Sequence, residues 1–292
     1  MLNILASNII WSMNLKYQSI KYKQNKPSST DELISIEEPL EMIIRYKKNN
    51  DWIDDSISIT MRTPKNDEDL IIGLLFCEGI VNNFSEIKKI ELLGHESGKF
   101  KLKNKIRVTL DNGENLDLKH LRRNFLTNSS CGVCGKASMD SLEIICKTKI
   151  NKNNPKIMSS LITKIPSFLK QNQSEFSKTG GIHASALLDQ NGKILIIRED
   201  VGRHNALDKV IGHSFKNSIF DTNNQFIACS GRLSFELVQK TLMANIGLLI
   251  GMGAPTSLAI DLAKRFDISL IGFVKSDTFN IYCGENRILK EN

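Results

Sequence analysis

The chain has 292 residues, of which 41% are hydrophobic and 24% are charged, and this balance excludes a fibrous or largely disordered protein. Its length predicts two unequal domains. The formal net charge of +7 is spread along the chain, which favours an anionic small molecule over a nucleic acid as a partner. The apolar run at residues 1–11 is too short to cross a bilayer and no longer run exists, so we expect a cytoplasmic protein without a membrane partner.

The first part of the chain predicts an extension followed by a small α+β domain. Residues 1–36 are interpreted as a polar extension, disordered from Lys16 onward because no apolar period is sustained there. The small domain is assigned to residues 37–126. Asn66 is predicted to cap a helix that ends at Gly79. Strands are predicted at residues 40–45, 53–61, 87–93 and 100–110.

Residues 127–292 predict a second, larger domain in which helices alternate with short apolar strands. Asn191-Gly192 is typical of a hairpin turn between two strands. Alternation of this kind predicts a layered α/β sheet. Helices are predicted at 138–146, 203–219, 233–245 and 256–267, and strands at 225–230, 247–252 and 268–274.

Six cysteines stand at spacings that do not suggest a disulfide framework, and only Cys131 and Cys134 are close in sequence. Glycines flank this pair and a predicted helix follows it, so the helix macrodipole favours the thiolate form. Arg122, Arg123 and Lys136 add nearby positive charge. The four others are expected to be structural: Cys77, Cys146, Cys229 and Cys283.

Two thiols at this spacing are compatible with three classes of protein. They can carry sulfur as a persulfide, perform dithiol redox chemistry, or supply half of a zinc site. Zinc would need two more ligands, and His183, His204 and His213 show no metal-site spacing, so no metal ligand is assigned. A thioredoxin-like enzyme would be smaller and would place its pair after the first strand. The sequence pattern leaves sulfurtransferase, dithiol oxidoreductase and zinc-bearing binding module open.

Four segments rich in glycine and polar residues fall at predicted junctions of strands and helices: 179–183, 199–206, 230–232 and 251–256. Open α/β sheets bind ligands at such junctions, and helix N-termini suit phosphate. Arg203 and Arg232 can pair with phosphate through the guanidinium fork, whereas His204 is expected to be a hydrogen-bonding scaffold. No Walker or Gly-x-Gly-x-x-Gly motif occurs, and each segment alone is weak evidence for nucleotide binding. Together the four segments predict a nucleotide pocket.

Several blocks in this order resemble the formate dehydrogenase accessory sulfurtransferases, over residues 38–288. The resemblance implies a cytidine-deaminase-like three-layer α/β/α core after a smaller α+β domain, assembled as a homodimer. The blocks are Met61-Arg62-Thr63-Pro64, Ser130-Cys131-Gly132-Val133-Cys134-Gly135, Thr179-Gly180-Gly181-Ile182-His183 and Glu199-Asp200-Val201-Gly202-Arg203-His204-Asn205.

The same resemblance implies a sulfur-transfer function. A cysteine desulfurase would supply sulfur as a persulfide on Cys131, with Cys134 assisting. The sulfur would pass to the bis-molybdopterin guanine dinucleotide cofactor of molybdenum or tungsten before that cofactor enters formate dehydrogenase. Deaminase chemistry is disfavoured, because His183 is not followed by the required glutamate and Ser130 stands where proline should precede Cys131.

The resemblance also assigns the residues that bind the cofactor and its guanine nucleotide. Lys275-Ser276 stand where the family has Arg-Gly, and Thr278 stands where arginine is common, so weaker phosphate pairing is expected. The resemblance assigns Phe273, Val274, Lys275, Ser276, Asp277 and Thr278, and the glycine-rich and arginine junctions add Gly180, Gly181, His183, Arg203 and Arg232 as expected cofactor contacts.

Overall fold

The structure is a computed structural model that describes residues 14–96, 100–111 and 150–291. Several predictions fall outside these residues: the Cys131 and Cys134 loop, Cys146, the helix at 138–146 and the domain boundary near residue 126. None of the helices within the described ranges is long and apolar enough to cross a membrane.

The chain enters the described structure through a long antiparallel hairpin of β1 (Asn14–Lys23) and β2 (Lys26–Ser35). The expectation of a disordered extension is therefore wrong for these residues. Gln24 and Asn25 both have positive φ, at 50° and 62°, as the tight two-residue turn of a hairpin requires. Tyrosine and isoleucine in β1 favour a strand although most of their surface is exposed.

The next elements form a four-stranded sheet that packs on one helix. The strand order is β4-β3-β6-β5, with β3 parallel to β6 and the other pairs antiparallel. Leu40, Met42 and Ile106 are fully buried beneath the helix that carries Leu70 and Leu75. The elements are β3 (Glu38–Lys48), β4 (Asp51–Arg62), α1 (Asp67–Cys77), β5 (Ile87–Leu93) and β6 (Lys105–Leu110).

These elements confirm the predicted strands and helix, with one local correction. Asn66 precedes α1 with φ 57° and its side chain makes no capping hydrogen bond. The predicted side-chain cap is wrong because a capping residue needs an extended backbone, whereas Asn66 is left-handed. Gly79, with φ 69°, follows the helix as predicted.

The larger sheet has six strands in the order β13-β12-β11-β10-β8-β9. Strands β10, β11 and β12 are parallel, and β8, β9 and β13 run antiparallel to their neighbours. Its elements confirm the predicted hairpin at Asn191-Gly192 and the predicted helices and strands beyond residue 200. They are β8 (His183–Asp189), β9 (Ile194–Asp200), α5 (Arg203–Lys216), β10 (Gln225–Cys229), α6 (Phe235–Met243), β11 (Leu248–Gly251), α7 (Ser257–Arg265), β12 (Ser269–Gly272) and β13 (Asn280–Cys283).

Helices cover both faces of this sheet and give three α/β/α layers. One face packs on α5, α6 and α7, and the other packs on α2 and α3. The central strands β8, β10, β11 and β12 are largely apolar because both of their faces are buried. The finer assignment to a cytidine-deaminase-like fold stays a prediction. The remaining elements, on the second face, are β7 (Ile157–Met158), α2 (Ser159–Ile162), α3 (Ile165–Asn172), α4 (Phe176–Thr179) and β14 (Ile288–Leu289).

The two sheets are joined where α1 crosses α5. A Cβ atom at Gly73 would lie 1.9 Å from the carbonyl oxygen of Asp208, and one at Gly212 would lie 1.9 Å from that of Asp69. The two backbones therefore approach at a distance that only glycine permits. This contact holds α1, which packs on the small sheet, against the middle of α5, which packs on the large sheet.

Replacing Gly73 or Gly212 by alanine should lower the free energy of unfolding by about 2–3 kcal/mol, since the added methyl group meets backbone and the helices must move apart. Urea unfolding of the purified variants measures this. Lys264→Ala, on the exposed face of α7, is the control and should change stability by less than about 0.5 kcal/mol. Stability equal to wild type in both glycine variants would contradict the described helix crossing.

Candidate functional site

Five polar loops meet at one edge of the large sheet. Because β8 is antiparallel to β9 and β10, its first residues lie beside the last residues of both strands: His183 pairs with Asp200 and Ser185 pairs with Cys229. The parallel strands β11 and β12 end at the same edge. The structure thus brings together the predicted segments 179–183, 199–206, 230–232 and 251–256, and residues 273–278 follow β12 there.

Backbone hydrogen bonds tie these loops to one another. The N–H of Gly253 donates to the carbonyl of Gly231 at 3.1 Å, and the N–H of Phe273 donates to Gly253 at 3.1 Å. A Cβ atom at Gly253 would lie 2.8 Å from the backbone nitrogen of Arg232. Glycine at this position therefore lets the loops after β10, β11 and β12 lie against one another.

A buried carboxylate holds the centre of the site. Asp200 is 0% exposed, and its Oδ2 accepts hydrogen bonds from the backbone N–H of Thr63 at 3.1 Å and from Lys209 Nζ at 2.6 Å. Its Oδ1 accepts from the N–H of Gly202 at 2.8 Å and from Asn205 Nδ2 at 3.1 Å. These donors compensate the burial of the charge, and they fix the turn from β9 into α5.

The same network explains the Met61-Arg62-Thr63 block. Asn205 Nδ2 also donates to the carbonyl of Met61 at 2.8 Å, and Lys209 Nζ donates to that of Thr63 at 2.8 Å. Thr63 Oγ1 accepts from the N–H of Val201 at 3.1 Å. The block therefore joins the end of β4 to the site and is part of its scaffold.

Two histidines stand at this edge in their neutral form. Burial, with help from the charge of Arg203, lowers the pKa of His204 to about 4. His204 Nε2 lies 3.0 Å from Ser234 Oγ at the start of α6, which confirms the predicted hydrogen-bonding contact. Burial, followed by the charge of Arg203, also lowers the pKa of His183. Neutral imidazoles leave the positive charge of the site to its arginines.

Arg203 lies close to His183. A Cβ atom at Gly231 would lie 3.7 Å from Arg203 Cδ and 3.3 Å from His183 Nδ1, so that glycine leaves room for both side chains. Arg203 Nε is buried and finds no hydrogen-bond partner among the residues that the structure describes. Arg232, on the adjacent loop, is exposed. The two guanidinium groups thus supply cationic donors beside the glycine loops, as predicted.

A cavity of about 460 Å³ opens at the Thr179-Gly180-Gly181 end of this edge. Gly180, Gly181 and His183, which the sequence predicted, line it together with Ser230 and Met252. Its other wall was missed by the sequence analysis, since no helix was predicted there. That wall comes from α3, α4 and the turn between them: Pro166, Leu169, Lys170, Gln173 and Phe176.

Residues 273–278 lie beside the cavity and do not line it. The Val274 N–H donates to the carbonyl of Gly251 at 3.3 Å, next to the cavity residue Met252, and Val274 is buried. Lys275 N–H donates to the carbonyl of Thr278 at 2.8 Å and closes a tight turn. Phe273, Lys275, Ser276, Asp277 and Thr278 are all exposed, so they present side chains to solvent at the rim of the site.

The cysteines that the structure describes are poor nucleophiles. Cys77 and Cys229 are buried, as predicted, and burial raises the pKa of Cys229 to about 11 and that of Cys77 well above its usual value. Burial also raises the pKa of the half-buried Cys283. A thiol must be deprotonated to react. The three described cysteines are therefore poorly suited to thiolate chemistry, and Cys131 and Cys134 lie outside the described residues.

The fold and this edge define a class: a three-layer α/β protein, joined to a small α+β sheet, with a cationic glycine-loop site at the ends of its strands. The chain belongs to the FdhD/NarQ family, whose sequence model matches residues 36–289.

Curated relatives match nearly the whole chain. The sulfur carrier protein FdhD of Sulfolobus acidocaldarius is 34% identical over 273 residues, covering 94% of this chain and 98% of that relative. The protein of the same name from Picrophilus torridus is 39% identical over 256 residues, covering 88% and 92%. A crystal structure of a candidate formate dehydrogenase accessory protein from Desulfotalea psychrophila matches with a TM-score of 0.70, 22% identity and coverage of 95% and 100%, which shows a shared fold.

Asp200→Ala should lower the free energy of unfolding by about 3–5 kcal/mol, because it leaves Lys209 buried without a counter-charge. Chemical denaturation measures the loss. Asp54→Ala, which removes a partly exposed partner of Arg45 and Arg107, is the matched control and should cost less than about 1 kcal/mol, because Arg107 keeps its pairing with Glu91. The double variant Asp200→Leu with Lys209→Met should recover part of the loss. Equal stability of the Asp200 and Asp54 variants would contradict the proposed scaffold.

Proposed function

We propose that this protein is a sulfurtransferase that accepts sulfur from a cysteine desulfurase and delivers it to the bis-molybdopterin guanine dinucleotide cofactor of a formate dehydrogenase. The observation that carries the proposal is the family membership over residues 36–289, in which the relatives are named sulfur carrier proteins. The cofactor, with molybdenum or tungsten, is a client that the protein binds and releases. Assembly as a homodimer is part of the proposal.

The sulfur would be carried as a persulfide on Cys131. The Cys131 thiolate attacks the outer sulfur of the desulfurase persulfide, so that a new S–S bond forms and the desulfurase cysteine leaves as a thiolate. Attack of Cys134 on the inner sulfur would release the outer sulfur as hydrosulfide and leave a disulfide between the two cysteines. The raised pKa values of Cys77, Cys229 and Cys283 support the assignment, because those thiols would react slowly.

The sheet edge would bind the nucleotide ends of the client. Arg203 and Arg232 supply donors for phosphate, and the backbone of the glycine loops can approach it closely. Lys275 stands exposed at the rim and would add a single cationic contact. The buried Asp200 would keep these loops in position. The sheet edge would then be a preformed nucleotide site, and the thiols of Cys131 and Cys134 would perform the sulfur transfer.

Cys131→Ala should abolish formation of active formate dehydrogenase in cells that carry only this variant, since no carrier thiol remains. Cys134→Ala should retain part of the activity, since Cys134 assists the transfer. Cys283→Ala is the control and should leave the activity unchanged, because its half-buried thiol is protonated. Enzyme activity in cell extracts measures all three, and an undiminished yield with Cys131→Ala would overturn the assignment.

Isothermal titration should show that the protein binds GDP more tightly than ADP and that the binding weakens with salt. Each charge-assisted contact to phosphate contributes about 1.5–3 kcal/mol, so Arg203→Ala should weaken GDP binding by about tenfold or more.

Lys275→Ala should weaken GDP binding, and Lys275→Arg should tighten it by restoring a bidentate fork. Lys89→Ala, an exposed lysine of the small sheet, is the control and should bind GDP as wild type does. Equal affinity for GDP and ADP, or no heat at millimolar ligand, would remove the nucleotide site from the proposal and leave only the thiol chemistry.

A further inference from the structure

One polar atom of the cavity lining has no hydrogen-bond partner among the described residues. Gln173, at the end of α3, is 5% exposed and lines the cavity. Its Nε2 is buried and has no hydrogen-bond partner in the part of the chain that the structure describes. A buried donor without a partner costs about 1–3 kcal/mol, and such groups are rare in folded proteins. A ligand in the cavity that accepts a hydrogen bond from this Nε2 would remove the cost.

The backbone around Gln173 is held in place. Its carbonyl accepts hydrogen bonds from the N–H of Ser177 at 3.2 Å and from Ser177 Oγ at 2.7 Å. The Glu199 carboxylate in β9 accepts from the N–H groups of Glu175 at 3.0 Å and Phe176 at 2.8 Å. The turn between α3 and α4 is thus tied to the central sheet, so the backbone that carries Gln173 does not lie on a free loop.

The rest of the cavity lining combines apolar and polar side chains. Leu169, Phe176 and Met252 provide apolar wall, whereas Ser230 and His183 provide hydrogen-bonding groups. A volume of about 460 Å³ is in the range of small-ligand pockets. The cationic groups of the edge lie just outside, because Arg203 is adjacent to His183 on the side of Gly231. Base and phosphates of one nucleotide would therefore occupy neighbouring parts of the same edge.

We propose that this cavity takes the purine base of the guanine nucleotide and that Gln173 is the residue that recognises it. A carboxamide offers a donor and an acceptor side by side, which match the O6 and N1–H groups of guanine. The unpartnered Nε2 would donate to O6, and Oε1 would accept from N1–H. Adenine has a donor at N6 and an acceptor at N1, the reverse of guanine. The carboxamide of Gln173 could pair with adenine only after rotating by about 180°. This inference rests on the proposed nucleotide site and adds its specificity-determining residue.

The test compares Gln173→Leu with wild type by titration of the full-length chain with GDP, inosine diphosphate, ADP and inorganic pyrophosphate. Inosine diphosphate keeps O6 and N1–H but lacks the 2-amino group. We expect affinity for GDP and for inosine diphosphate to fall by the same factor, about tenfold, while pyrophosphate affinity is unchanged. Gln171→Leu, on the exposed side of the same helix, is the matched control and should bind all four ligands as wild type does.

Gln173→Met is a second variant of similar length, and thermal unfolding of both variants checks that they fold. Unchanged GDP affinity in folded Gln173 variants would overturn the role of Gln173 and leave the nucleotide site standing. An equal loss for ADP or pyrophosphate would also overturn it, since it would show a general effect on the cavity. If wild type itself binds no GDP, the nucleotide site fails first and this inference fails with it.

Discussion

The buried charge of Asp200 is the constraint on which the site depends. A carboxylate that is fully removed from water must be surrounded by donors, and here they come from the end of β4, the turn after β9 and the first turns of α5. Satisfying one side chain therefore fixes the small sheet and the large sheet in a single arrangement. The close crossing of α1 and α5 at Gly73 and Gly212, further along α5, supports the same arrangement of the two sheets.

This arrangement separates binding from chemistry. The described edge offers cationic groups, neutral histidines, glycine backbone and a cavity, all of which suit recognition of a nucleotide. The described cysteines are buried or half-buried and their pKa values are raised, so the proposed sulfur transfer would rest on cysteines outside the described residues. In the proposed function, this edge would hold the nucleotide end of the cofactor while a thiol outside the described residues carries the sulfur.

The sequence predicted most strands of both sheets, though not β13, and the helices after residue 200, because strong apolar periods and the Asn191-Gly192 turn are local signals. It predicted the glycine loops, but the reason for the Met61-Arg62-Thr63 block became visible only in the contact with Asp200, since that contact joins residues far apart in the chain. The β1–β2 hairpin was missed because Gln24-Asn25 is a weak turn signal among exposed polar residues. Gln173 was missed because α3 is short and its amide carries no motif.

Mass spectrometry of the intact protein and its peptides, after incubation with a cysteine desulfurase and cysteine, tests the central claim most directly. The account predicts one added sulfur atom on the peptide that contains Cys131, removed by reductant and absent from the Cys131→Ala variant. No added sulfur on the Cys131 peptide of the Cys134→Ala variant, in which disulfide formation cannot release the sulfur, would contradict sulfur carriage and favour a dithiol oxidoreductase. Zinc retained by both thiols would contradict it in favour of a metal-binding module.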